Sequence, residues 1–190
     1  MKPRLLYFGM VAERRGIFNT LKVCKDLLVQ GIDLSLVIIG PVDSADRSRF
    51  FSEIKDSVFI NKLSYISWID LDELPSYLDA CDIALAPFEK NEQHESGIAN
   101  KIFQYMYGKL PIVASDCKPQ KDLIEKAGIG EVFSTQKEFG AKLQILLKDE
   151  DARKRMGERA FQVLIEEYSP KAMKLLLKNF YDKMLNSRVN

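Results

Sequence analysis

Asn100-Lys101-Ile102-Phe103-Gln104-Tyr105-Met106-Tyr107 runs almost directly into Leu110-Pro111-Ile112-Val113-Ala114-Ser115-Asp116, and this junction decides the fold. At about 100° per residue, Gly97, Asn100, Lys101 and Gln104 share one helical face, while Ile98, Ile102, Phe103 and Met106 take the opposite one. The second stretch is a short, nearly continuous apolar run, the pattern of a strand covered on both sides. A helix that feeds a buried strand is one unit of an α/β sheet. One helical face is expected to pack and the other, bearing amides and a lysine, to stay free. With Gly97 and Ile98 at its start, the helix offers unpaired N–H groups and a dipole that suit an anionic ligand.

Leu34-Ser35-Leu36-Val37-Ile38-Ile39-Gly40 reads as a central parallel strand. Arg4 to Gly9 is a short apolar run closed by glycine, and Ile17, Phe18, Leu21, Cys24 and Leu28 then recur at helical spacing. A polar helix is predicted from Ser44 to Lys55, a strand over Leu63–Ile66, a short helix from Leu71 to Ala80 and a strand from Ile83 to Pro87. Beyond the opening stretch come a helix near Gln120–Lys126 and a strand around Glu131-Val132-Phe133. Alternation of this kind predicts one doubly wound α/β domain with a parallel sheet wrapped by helices. From Lys137 to Leu185 the pattern is helical, interrupted near Asp149 and at Ser169-Pro170, where proline fits a helix start. The expected division is therefore 1–168 for the α/β domain and 169–190 for a C-terminal helix. Its stripe of Ala172, Met173, Leu176, Phe180 and Met184 is expected to pack on the core, the alternative being contact with a second domain absent from these residues.

A length of 190 residues suits one well-cored domain. A net charge of +1 with interspersed acids and bases carries no footprint of a nucleic-acid binder. The three cysteines, Cys24, Cys81 and Cys117, lack metal-ligand spacing and read as buried, reduced thiols. No apolar run reaches the ~18 residues of a membrane span, and no signal-peptide core is present, so a cytoplasmic location is expected.

In doubly wound sheets ligands lie outside the carboxyl ends of the strands, which directs attention to four loops. Gly9-Met10-Val11-Ala12-Glu13-Arg14-Arg15-Gly16 places two arginines beside a helix entry, where they either pair with phosphate oxygens or form a solvated turn. It is neither a dinucleotide fingerprint nor a Walker loop. Ser67-Trp68-Ile69-Asp70 either holds a nucleobase against an aromatic wall or buries its tryptophan in the core. Phe88 to Ile98 carries Glu89, Glu92, His94 and Glu95; a lone histidine excludes a multi-histidine metal site, and a plain surface loop is the other reading. In Ser115-Asp116-Cys117-Lys118-Pro119-Gln120, Ser115 and Asp116 either touch ligand or cap a helix.

Together these residues resemble the C-terminal, donor-binding domain of GT-B glycosyltransferases, specifically family four, known as glycosyl transferases group one. The resemblance runs from Leu5 to about Tyr168 and implies a Rossmann-like half. The family grips the donor pyrophosphate with a Gly-Arg-Leu segment and a following Lys-Gly; Gly9-Met10-Val11 and Arg15-Gly16 stand there. Arg15 replaces the lysine, whereas the Met10 thioether supplies neither charge nor donor. Trp68 to Pro87, with Leu74, Tyr77 and Ala80-Cys81-Asp82-Ile83, is similar to the stretch between the family's base-binding and sugar-binding loops. The family's two glutamates, eight positions apart, fall on Ser96 and Gln104, with Glu95 one place before the first. The run Asn-Lys-Ile-Phe-Gln-Tyr-Met leading to Pro-Ile-Val-Ala-Ser-Asp-Cys-Lys-Pro most closely resembles a bacterial branch that makes surface polysaccharides. Gly108 stands one or two places earlier than the family's glycine, which implies an altered helix end.

The resemblance implies a retaining transfer from a UDP- or GDP-sugar, with no metal and no other cofactor. Gly9, Arg14, Arg15 and the helix start at Gly97 and Ile98, with Asn100 and Lys101, would offset pyrophosphate charge. Gln104 would hold the ribose, the Trp68-Ile69 backbone the base, and His94 and Glu95 the sugar as the candidate catalytic pair. The acceptor, a glycan or lipid-linked sugar, belongs to an N-terminal half that is not among these residues. This chain alone is then expected to be inactive, and the full enzyme to associate peripherally with the inner face of a membrane. The alternative is a non-catalytic nucleotide-binding or interaction module of the same fold, consistent with the residues at positions 10, 96 and 104. A sugar-nucleotide epimerase is disfavoured because its acid and base need both halves of a cleft, and a receiver-like domain because no pair of acids ends the first strand.

Overall fold

A computed structural model describes residues 2–186, with side chains to Leu185. Six strands form a single sheet: β1 (Arg4–Phe8), β2 (Ser35–Ile39), β3 (Leu63–Ile66), β4 (Ile83–Ala86), β5 (Ile112–Ser115) and β6 (Gly130–Phe133). Their order is β3-β2-β1-β4-β5-β6 and every pairing is parallel. The helices are α1 (Ile17–Val29), α2 (Arg47–Glu53), α3 (Leu74–Asp79), α4 (Glu92–Ser96), α5 (Asn100–Tyr107), α6 (Lys118–Ala127), α7 (Gln136–Lys148), α8 (Glu150–Glu167) and α9 (Pro170–Asn186). The expected doubly wound architecture is present, with α2 and α3 shorter than their periodicity suggested.

Alternation along the strands divides the core into two layers. Leu5, Tyr7, Leu36, Ile38, Ile83, Leu85 and Val113 meet Leu21, Cys24, Phe139 and Leu143 of α1 and α7. On the other face, Leu6, Ile39, Ala84, Ala86, Ile112 and Ala114 meet Leu78, Ile102, Tyr105, Ile124 and Ala160 from α3, α5, α6 and α8. Each fully buried large apolar side chain contributes roughly 1.5–3 kcal/mol. All three cysteines are free and buried, and burial pushes the Cys24 and Cys81 thiols up to about 12, which keeps them protonated and unreactive.

The altered helix end after α5 has a definite form. Gly108 keeps a negative φ, and Lys109 takes the left-handed conformation at φ 54°. A lysine there costs about 1 kcal/mol. A Cβ on Gly157 of α8 would come within 1.9 Å of the Lys109 carbonyl oxygen, so only glycine lets α8 lie on this turn.

One expectation is corrected. The apolar stripe of α9 does not pack on the core: Met173, Leu176, Phe180 and Met184 are all exposed, and the helix lies chiefly against α8. Periodicity shows that one helical face is apolar but not what covers it. Residues 187–190 of the expected C-terminal segment lie outside the described residues. Of the two readings of Phe88 to Ile98, a plain surface loop does not hold throughout: Glu92–Ser96 form α4, and its His94 is buried.

Strand order reverses between β1 and β4, the position where open α/β sheets leave a crevice. The β1–β4 pairing covers only Leu5 with Ile83 and Leu6 with Ala84. Beyond it the strands separate and the Tyr105 hydroxyl fills the gap, accepting the Phe8 N–H at 3.0 Å and donating to the Leu85 carbonyl at 3.2 Å. The small side chains of Ala84 and Ala86 leave room for that ring. Tyr105→Phe strips two backbone groups of their partner and is expected to lower stability by about 2 kcal/mol or more in urea unfolding. An unchanged midpoint would show that the hydroxyl does not hold the two strands.

Candidate functional site

The crevice at the ends of β1 and β4 is a cleft of about 450 Å³ lined by Phe8, Gly9, Arg15, Gln93, His94, Ser96, Gly97, Ile98, Ala99, Asn100, Lys101, Gln104 and Gln120. One wall is the loop between β1 and α1. Tyr7, buried under it, shares its one hydroxyl proton between the carbonyls of Met10 at 3.0 Å and Arg15 at 3.2 Å. Burial pushes the Tyr7 phenol up, so this donor keeps its proton. The Arg15 Nε is buried and has no hydrogen-bond partner.

The opposite wall is α5. Lys101 is 5% exposed, and its Nζ has no hydrogen-bond partner. It lies 4.7 Å from the centre of the Tyr7 ring and 5.2 Å from that of Phe88. Burial, then the Arg15 charge, lowers its pKa to about 7. The sequence placed Lys101 on a free helical face, and the structure corrects this. The helix begins at Asn100, with Gly97 in extended backbone before it, and Lys101 lies one turn from Tyr105 on the side that faces the strand ends. Asn100 is exposed and Gln104 half-buried, both on the cleft.

His94, 4% exposed, closes the far end. Asn91 caps α4 by accepting the His94 N–H at 2.9 Å. The His94 Nδ1 lies 2.7 Å from the Glu89 carbonyl, a contact that requires a proton on Nδ1. In the neutral ring Nε2 is then an acceptor, and it is buried without a partner. Gln120 of α6 donates to the His94 carbonyl at 3.1 Å, while its own Oε1 is unpaired. The lining thus offers two cations, the His94 imidazole, and amide and hydroxyl groups that both donate and accept, and no carboxylate.

A second cavity of about 460 Å³ adjoins the first, sharing Phe8 and Gly9, and is lined further by Ile39, Gly40, Pro41, Trp68, Ile69, Asp70 and Leu71. Trp68 is 71% exposed, so it is a wall and not core, while Ile69 is buried beneath it.

The structure therefore brings together Gly9, Arg15, His94, Gly97, Ile98, Asn100, Lys101 and Gln104, and sets Trp68 and Ile69 beside them. Two predicted residues stay outside. Arg14 is ion-paired with Asp43 at 2.6 Å. Glu95 accepts the Lys118 N–H at 3.2 Å and so caps α6. Each has a partner outside the cleft. Asp116, offered as ligand contact or cap, is held by Lys90 and Ser134. Sequence reasoning missed Tyr7 and Tyr105 as supports, since apolar strand and helix patterns hide a hydroxyl's partner. Among the described residues no group of histidines, cysteines and acids is arranged to hold a metal ion, and no helix is long and apolar enough to cross a membrane.

With this geometry in view, the model of the glycosyl transferases group 1 family matches residues 1–163. The chain belongs to that family. An alpha-D-kanosaminyltransferase of Streptomyces kanamyceticus is 26% identical over 171 residues, 88% of this chain and 42% of the relative. A GDP-mannose:glycolipid 4-beta-D-mannosyltransferase of Xanthomonas campestris is 27% identical over 141 residues, 74% of this chain and 38% of the relative. The chain thus spans about two-fifths of these curated relatives. Among solved structures, the C-terminal domain of a group 1 glycosyl transferase (LpcC) from Francisella tularensis aligns at a TM-score of 0.75 with 18% identity, covering 88% of this chain and 87% of that one. Anabaena HepE, solved with UDP, aligns at 0.80 with 12% identity, covering 96% and 49%. These likenesses show the GT-B type of fold for this family member.

A buried, unpaired lysine carries a sign for stability. The unfolded chain holds that proton to about pH 10.4, whereas the native state releases it near 7. The native state is therefore penalised at and below neutral pH, and stability rises as pH climbs from about 7 to 10. Lys101→Met is expected to raise unfolding stability by a few kcal/mol, roughly 2–4, near pH 7 and to lose this rise. Equal stability of the two chains across that range would show that the native lysine is solvated.

Proposed function

We propose that this chain is the donor half of a glycosyltransferase that moves a sugar from a nucleotide-diphosphate sugar, UDP- or GDP-linked, to a growing glycan, with bacterial surface polysaccharide as the product class. One observation carries the reading: two adjoining cavities at the strand-order reversal, one walled by Trp68 and Ile69, the other by Arg15, Lys101 and the start of α5. The first fits a base and the second a diphosphate, and Phe8 and Gly9 lie between them. Gln104, on the cleft, would hold the ribose. His94 Nε2 accepts a sugar hydroxyl, which makes it a binding group in this chain, and Glu95 reaches the donor only by giving up its cap on α6.

As the anomeric bond breaks, the departing diphosphate gains charge, and Arg15 with the α5 N–H groups stabilises it. These residues serve leaving-group departure, and we propose transfer with retention, as the likeness to the family implies, although one curated relative is named for an alpha and the other for a beta linkage. The anomeric signal of the product distinguishes the two outcomes. The acceptor, a glycan or lipid-linked sugar, is proposed to sit on a second half, against which the exposed apolar face of α9 packs. Turnover would then need both halves, working in the cytoplasm against the inner membrane face.

Titration calorimetry with UDP, GDP and their sugars tests the donor site. Arg15→Ala is expected to weaken nucleoside diphosphate binding by about 10- to 100-fold while sparing the nucleoside, and a chelator is expected to leave binding unchanged. Equal losses for diphosphate and nucleoside would remove Arg15 from the phosphate site. Selective binding with no turnover by the completed enzyme would favour a non-catalytic nucleotide module.

A further inference from the structure

Met10 supplies no cation to the loop between β1 and α1 and lines neither cavity, which leaves Arg15 as that loop's only charge facing a ligand with two phosphoryl groups. The other cation in the cleft comes from the opposite wall. Lys101 Nζ is buried on the cleft with no hydrogen-bond partner, and among the described residues no carboxylate is ion-paired with it. Its support consists of the ring faces of Tyr7 and Phe88. A Cβ on Gly9 would stand 3.3 Å from both Nζ and its carbon, so the glycine keeps the amine open to the space between the walls. A desolvated amine beside a fixed guanidinium, with no anion, is unfavourable as an ammonium. An arriving diphosphate reverses that balance.

We propose that Lys101 is the second phosphate-binding group of this cleft, supplied by α5 in place of the loop, and that it enters the empty site as a neutral amine and takes up a proton from solvent when the diphosphate binds. This rests on the donor-site reading above. The balance is simple: the amine nitrogen gains one proton from the buffer, no covalent bond to the ligand forms, and the resulting ammonium pairs with phosphate oxygens. Its low pKa in the empty site, caused by burial and then by Arg15, agrees with this. The titratable groups around it are Arg15 from the loop, Tyr7 from β1, His94 from α4 and Tyr105 on its own helix. Both phenols are pushed up by burial and stay neutral; Gln120 from α6 is uncharged, and Glu89, beyond Phe88, is exposed.

Calorimetric titration of the full chain with UDP and with GDP, in buffers of differing ionisation enthalpy at about pH 8.5, reads the proton directly. The nucleotide is already fully ionised there, so any proton taken up is the protein's. About one proton per nucleotide is expected, with affinity falling about tenfold per pH unit above pH 8. In Lys101→Met the uptake and the pH dependence both vanish, while His94→Gln retains them, which separates the amine from the imidazole. Binding without proton uptake by the unmodified chain, a measurement that needs no variant, or uptake unchanged in Lys101→Met, overturns the proposal and leaves the donor site standing. Failure of both nucleotides to bind overturns the donor site and this proposal with it.

Discussion

The Tyr105 hydroxyl, held between the Phe8 N–H and the Leu85 carbonyl, is the contact on which the site depends. Two parallel strands that diverge must leave backbone groups without ladder partners, and buried groups of that kind cost about 1–3 kcal/mol each. A side chain that satisfies both lets the strands stay apart. The same ring fixes α5 against the sheet, and with it the helix start, Asn100, Lys101 and Gln104. The crevice is therefore a consequence of how one phenol completes the hydrogen bonding of the sheet.

Charge in the cleft follows a different economy. Elsewhere on the surface several cations pair with carboxylates: Arg14 with Asp43, Lys90 with Asp116, and Lys118 with Asp122. In the cleft, Arg15 Nε, Lys101 Nζ, His94 Nε2 and the Gln120 Oε1 have no protein partner. Such groups reduce folding stability in the empty state, and large apolar layers on both faces of the sheet offset that loss. A site complementary to an anion is less stable than the same fold with its cations paired, the usual conflict between binding and stability.

Much of this was legible in the chain. The apolar runs at Leu34–Gly40 and Leu110–Ser115 identified the buried strands because both faces of a parallel sheet are covered. The helical period found α1 and α5 to α8, and cysteine spacing correctly indicated free thiols. The loops after strands contained most of the cleft residues, since helix and strand alternation sends those loops to one edge. Trp68 was legible only as an aromatic that is either core or wall. The stripe on α9 was legible as apolar, and the structure shows it exposed.

Sequence by itself determined the strand and helix types, the two-sided burial of the sheet and the sheet edge to which the loops after strands run, because periodicity is local. Only the tertiary structure decided which polar side chains face inward. Arg14 and Arg15 are neighbours, as are His94 and Glu95, yet one of each pair enters the cleft and the other finds a partner outside it. That choice depends on groups distant in the chain, Asp43 for Arg14 and the Lys118 N–H for Glu95. Lys101 is the clearest case: its burial comes from Gly9, Tyr7 and Phe88 meeting it across the strand ends, an arrangement that no local pattern encodes.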